Sequence, residues 1–189
     1  MAATVVVSEA TGVTPDYDTV TSVRLNNADE HDPVLTNPCV IPSAGFNYSF
    51  WKHLFLSLSG TYTRINNVLF YTDGTSGFNL GTDGDVFIGI RDAGDNGCPD
   101  GSYEQSAGAG DSGYWMDDAS NGHDYYKDQT AVPASAFDYT SAATLIIDSA
   151  NYDNVEDRTD AVVIQAKIDT DATRGAQSAE TAYISYDEI

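Results

Sequence analysis

The stretch Leu54-Phe55-Leu56-Ser57-Leu58-Ser59 alternates strictly at its even positions: Leu54, Leu56 and Leu58 fall on one face, and Ser57 and Ser59 on the other. A period of two is the signature of a half-buried strand, since successive side chains leave a pleated backbone on opposite sides. The same period returns late in the chain, where Val162, Ile164, Ala166 and Ile168 alternate with Val163, Gln165 and Lys167. These two segments set the fold class, and no long 3.6-residue periodicity competes with them.

Working outward, short β-rich runs recur between clusters of turn residues. The predicted strands are Thr4 to Ser8, Thr19 to Leu25, Phe46 to Trp51, His53 to Thr63, Asn67 to Thr72, Asp85 to Arg91, Thr144 to Ser149, Asp160 to Asp169 and Glu180 to Tyr186. This spacing predicts one all-β domain over residues 1–189, an antiparallel β-sandwich of jelly-roll type. The last run predicts that the segment before Ile189 is tied into a sheet. Between about residues 92 and 143 the strand signals stop, and Gly, Asp, Ser and Asn are punctuated by Tyr103, Tyr114, Trp115, Tyr125, Tyr126 and Phe137. So many aromatics argue for an ordered excursion that packs on something, not for a disordered linker.

Composition narrows the partners. The 189 residues carry 29 acidic and 8 basic side chains, a formal net charge of −21, and the bases are only 5 Arg and 3 Lys. Phosphate backbones and anionic lipid surfaces need clustered cations, so neither nucleic acid nor a membrane is an expected partner. Of the acids 23 are Asp. An excess of short, hydrated carboxylates with little Lys fits a protein that works in concentrated salt, where self-repulsion is screened, with calcium-rich surroundings or high solubility as the alternatives. The opening MAATVVVSEATG has no basic segment followed by an apolar one, and no run reaches the length of a membrane span, so synthesis in a cytoplasm without a secretory leader is expected.

Chemistry-bearing motifs are sparse. Asp92, Asp95, Asn96 and Asp100 put oxygen donors on a Gly-rich loop suited to calcium, although the spacing is not that of an EF-hand and paired tight turns explain it equally. Asp117, Asp118 and Asp124 beside His123 repeat the ambiguity. His31, His53 and His123 show no zinc-ligand spacing. Cys39 and Cys98 either form one disulfide or remain two buried thiols. The Gly-rich stretches Gly81 to Gly84 and Gly108 to Gly113 lack the helix and Lys of a phosphate cradle. No nucleophile and base stand in a recognisable pattern, so the chain is not expected to be an enzyme. Tyr48, Phe50, Trp51, Phe70 and Tyr71 lie in strands and read as core. The loop pairs Tyr114-Trp115 and Tyr125-Tyr126 read as an interface, with stacking on sugar rings as the alternative.

Three stretches, GFNYSFWKHLFLSLSGTYTRINNVLFYTDG from Gly45 to Gly74, IRDAGDNGCPDGSYEQ from Ile90 and NGHDYYKDQTAV from Asn121, resemble virion proteins of tailed viruses. The resemblance implies a β-sandwich accessory protein on a head or tail surface, bound to other virion proteins such as a capsid protein and assembled as a homo-oligomer, a trimer by preference. It implies localisation to the virion after synthesis in the host cytoplasm, and the acidic, Lys-poor composition suits a virus of a haloarchaeon. It carries no individual site residues and no cofactor. A carbohydrate-binding or adhesion module, with calcium in its Asp-rich turns, is the alternative function.

Overall fold

The computed structural model describes residues 3–31, 37–90, 103–127, 132–153 and 157–189. The strands run in chain order as β1 (Ala3–Thr11), β2 (Asp16–Thr19), β3 (Asn47–Tyr48), β4 (Lys52–Gly60), β5 (Ile65–Thr72) and β6 (Asp85–Ile90). They continue as β7 (Gly108–Ala109), β8 (Ser112–Gly113), β9 (Ala134–Ser135), β10 (Leu145–Asp148), β11 (Asp157–Arg158), β12 (Val162–Ile168) and β13 (Ala182–Glu188). The one helical turn among the described residues is a 3-10 turn at Ala136–Asp138, capped by the Ser135 hydroxyl, which accepts from the Phe137 N–H. No helix among them is long and apolar enough to cross a membrane.

The architecture is the expected antiparallel β-sandwich. An eight-stranded sheet runs β2-β1-β4-β12-β6-β9, with β11 beside β4 and β3 beside β12, and a three-stranded sheet runs β10-β5-β13. Leu54, Leu56 and Leu58 pack with Val86, Ile88, Val162, Ala166 and Ile168 of the large sheet against Ile65, Val68, Phe70 and Ile147 of the small one. This is the core that the alternation in β4 and β12 announces. Jelly-roll connectivity is a narrower description than the strand order supports. Ile189 is tied back by exchanging backbone bonds with Arg64.

Two strand expectations are shortened. Pairing of the Thr19–Leu25 run stops near Val20, whose N–H still reaches the Val7 carbonyl, after which Val23 and Leu25 pack on the core without a strand partner. Of Phe46 to Trp51 only Asn47 and Tyr48 pair with β12 as a strand, and the Ser49 N–H reaches the Ala166 carbonyl just beyond them; the Trp51 N–H is instead taken by the Ser106 hydroxyl at 2.9 Å. Apolar burial drives both segments, and burial does not require a ladder.

The second face of the large sheet is buried too, beneath residues 103–127. Trp51, Val163, Met116 and Tyr126 form one cluster there, and Phe55, Ala10 and Ala161 another with Tyr17 and Tyr103. The loop-rich excursion is therefore a third layer over the sheet. Its Gly108–Gly113 stretch is a small hairpin, β7 against β8, turning at Gly110 with φ 61° and lying so close to Ser49 and Phe50 that a side chain at Gly113 would collide with the Ser49 backbone. Gly89 likewise lets the Tyr126 ring approach β6, for a Cβ there would lie 2.6 Å from the ring.

Gln165 joins the layers. Its side chain is fully buried, its Nε2 donates to the carbonyls of Ser49 and Tyr114, each at 2.7 Å, and its Oε1 accepts the Met116 N–H at 2.9 Å. On the opposite face of the same sheet, where β1 pairs with β4, Lys52 is buried against Glu9 at 3.2 Å and donates to the carbonyls of Ala28 and Glu30 at 2.9 and 2.7 Å, pinning the segment after β2. Burial raises the Glu9 carboxyl above its ordinary 4.5, outweighing the attraction of Lys52.

Replacing Gln165 with Leu strands three buried backbone groups, each worth about 1–3 kcal/mol, so unfolding by guanidinium should show a loss of at least ~3 kcal/mol. Because the folded carboxyl of Glu9 holds its proton more tightly than the unfolded one, its contribution is complete below pH 4.5 and is lost as pH rises through the folded value. The Glu9→Gln variant should lack this component. Stability measured across that window should fall more steeply with pH in the wild type than in the variant.

Candidate functional site

Residues 103–127 approach the large sheet through polar contacts as well as apolar ones. The Trp51 indole N–H donates to the Glu104 carbonyl at 3.0 Å, and the neighbouring β4 residue His53 meets His123 with Nε2 to Nε2 at 3.0 Å. Both imidazoles are buried, at 1% and 0% exposure. The Tyr125 N–H lies 3.2 Å from His123 Nδ1, which must then act as an acceptor. His123 therefore carries its proton on Nε2 and donates it to His53 Nε2, which places the His53 proton on Nδ1. The Glu104 carboxylate stands 3.7 Å from His123 Nδ1 and accepts the Asp124 N–H. Around this pair Trp51, Tyr103 and Tyr126 set their rings within 5.0–5.7 Å of one or other imidazole. The arrangement rivets the third layer to β4.

The residues expected to form an aromatic interface divide. Tyr126 is 1% exposed and packs under the layer on Gly89, with Tyr125 edge-on to it at 5.1 Å. Its place in the core removes Tyr126 from any surface. Tyr114 and Trp115 are half-buried and line an open depression of about 310 Å³ with Tyr48, Ala109, Ser112, Gly113 and Asp118. Trp115 stacks on Tyr48 with centroids 5.2 Å apart and meets Phe87 edge-on at 4.9 Å. Tyr48, which reads from sequence as core, is thus a wall of this depression; its distance of 67 positions from Trp115 hides the pairing from any local pattern.

Asp92, Asp95, Asn96, Asp100 and Cys98 lie outside the described residues. Among the described residues no three His, Cys, Asp or Glu side chains gather as a metal site. Asp118 instead caps a turn: its Oδ1 accepts the N–H groups of Ser120 and Asn121 at 3.0 and 2.8 Å, which holds the carboxyl below its ordinary range. Asp124 pairs with Lys127, and His31 with Asp18. Cys39 is a free thiol whose burial pushes its pKa up to about 12, keeping it protonated and poorly nucleophilic; it donates to the Leu25 carbonyl.

The small sheet carries a different feature. On its outer face Ile146 sits opposite Leu69, and Leu69 opposite Ser185, while Tyr71 sits opposite Tyr183 with the two rings stacked at 5.0 Å. Ile146 is 55% and Tyr183 47% exposed. No charge interrupts these five positions. No protein-family model, curated protein or solved structure matches the chain.

A double-mutant cycle over His53 and His123, each replaced by Leu, should return a coupling of about 1 kcal/mol or more in denaturant unfolding if the two rings share a proton. Additive losses would show that each ring acts alone.

Proposed function

We propose that this protein is a non-enzymatic structural component of a tailed-virus particle, a surface accessory of turret or cement type that assembles as a homo-oligomer on a capsid protein. One observation carries the reading: a chain of net charge −21 keeps an uncharged strip of Leu69, Tyr71, Ile146, Tyr183 and Ser185 on the outer face of its small sheet. Copies this acidic repel one another over most of their surfaces, so association favours the face from which charge is missing. Exposed aromatic and aliphatic groups there supply contact area, and the outer edge of β13 offers backbone groups for strand addition. Tyr183 and Tyr71 are already stacked, so little side-chain freedom would be lost on contact.

The salt-adapted composition supports the same reading. In molar salt the reach of a surface charge shrinks to about 3 Å, which leaves apolar contact as the deciding force between copies. The resemblance of Gly45 to Gly74 and of the following stretches to tailed-virus virion proteins supplies the particle.

Mass spectrometry of purified particles should recover the protein in fixed ratio to the major capsid protein. Light scattering of the isolated chain in molar salt should give a closed oligomer, a trimer in the favoured case, and the combined Ile146→Asp and Tyr183→Asp variant should give a monomer with an unchanged circular dichroism spectrum. Recovery from uninfected cells with none in particles, or a wild-type monomer at every salt concentration, would overturn the reading.

A further inference from the structure

From the depression between β3, the β7–β8 hairpin and the segment Tyr114 to Asp118, we infer a second and separate property: this site binds a neutral saccharide, one pyranose ring deep. The inference goes beyond the assembly role and uses a different part of the molecule.

The volume, about 310 Å³, is at the lower end of small-ligand sites, which run from roughly 300 to 1,000 Å³. The walls are preorganised. Trp115 is braced between Tyr48 and Phe87, the Tyr48 N–H is held by the Ser112 hydroxyl at 2.9 Å, and the Tyr114 carbonyl is fixed by Gln165. The lining residues also carry polar groups that make no hydrogen bond to the described protein residues. Among the described residues nothing hydrogen-bonds the Tyr48 hydroxyl, the Tyr114 hydroxyl, the Trp115 indole N–H or the Asp118 Oδ2, although Asp118 Oδ1 is fully occupied by its turn. Asp118 is near enough to Tyr48 for its charge to raise the phenol, adding to the effect of burial.

The chemistry of these groups selects the ligand. A carboxylate oxygen accepts from paired hydroxyls, a phenol both donates and accepts, an indole N–H donates, and tyrosine rings receive an apolar C–H face. A sugar ring presents all of these at once. An anion is disfavoured by Asp118 and by the net charge of −21. A hard cation needs more than one carboxylate. An organic ammonium group is the competing ligand, since Asp118 and the same rings would attract a cation, and a parallel titration with choline separates the two.

The chain has two tryptophans, and Trp51 is buried under the third layer, so ligand-induced change in tryptophan emission reports on Trp115. The probes are the methyl glycosides of glucose, galactose, mannose and N-acetylglucosamine, with choline in parallel, each titrated in low and in molar salt. We expect a saturable response to at least one glycoside, insensitive to salt, and weakened about tenfold or more in Asp118→Asn, as befits loss of one hydrogen bond to a charged acceptor. Asparagine keeps the Oδ1 acceptor of the turn, so only a small drop in melting temperature should accompany the loss. Tyr48→Phe should weaken the same glycoside. No saturable response to any glycoside, an equal response in Asp118→Asn, or saturation by choline alone would overturn the assignment.

Discussion

The entry of the third layer onto the large sheet depends on one amide. Gln165 stands on β12 facing away from the apolar core, and its three hydrogen bonds tie together Ser49, Tyr114 and Met116, segments 116, 51 and 49 residues distant from it. A sheet buried on both faces ordinarily reads as a continuous apolar run. Here the buried Gln165 interrupts that run and is fully satisfied, which makes the third layer specific in register as well as adhesive. The Tyr48–Trp115 stack and the His53–His123 contact are positioned by the same clamp, since the chain that carries Trp115 and His123 enters through Tyr114 and Met116.

Alternation in β4 and β12 disclosed the sandwich because their core faces are uniformly apolar. The same alternation contained Gln165, Val163 and His53 on the opposite face, and these residues read as solvent-facing when only one layer of covering is assumed. The covering itself was legible only as a stretch rich in aromatics, because its backbone is satisfied by side chains and short two-residue strands instead of long ladders. Periodicity has nothing to register in such a segment.

The candidate sites divide along the same line. Tyr114 and Trp115 were visible as a pair of adjacent loop aromatics, and they do reach the surface. Tyr126, equally conspicuous, is drawn inside by the absence of a side chain at Gly89, a relation between positions 37 apart that no local reading contains. The opposite error concerns Tyr71: in a strand it reads as core, yet the neighbouring Phe70 takes the inner position and turns Tyr71 outward to meet Tyr183. Where one face of a sheet is covered and the other is open, the parity of a residue within its strand, once a single neighbour is fixed, outweighs its hydrophobicity.

The place of β12 has a consequence for synthesis. It lies between β4 and β6, both of which leave the ribosome long before it. Until residue 168 has emerged, two apolar strands stand with their facing edges open, and neither Gln165 nor Val163 is present to receive the aromatic cover. A nascent chain of this kind is exposed to edge-to-edge pairing with its neighbours on the same polysome. Acidic residues already abound in the part that emerges first, among them Asp16, Asp18, Asp29 and Glu30 around β2 and the segment that follows it. Their mutual repulsion opposes such pairing during that interval, so the negative charge of the finished protein also acts as its own chaperone.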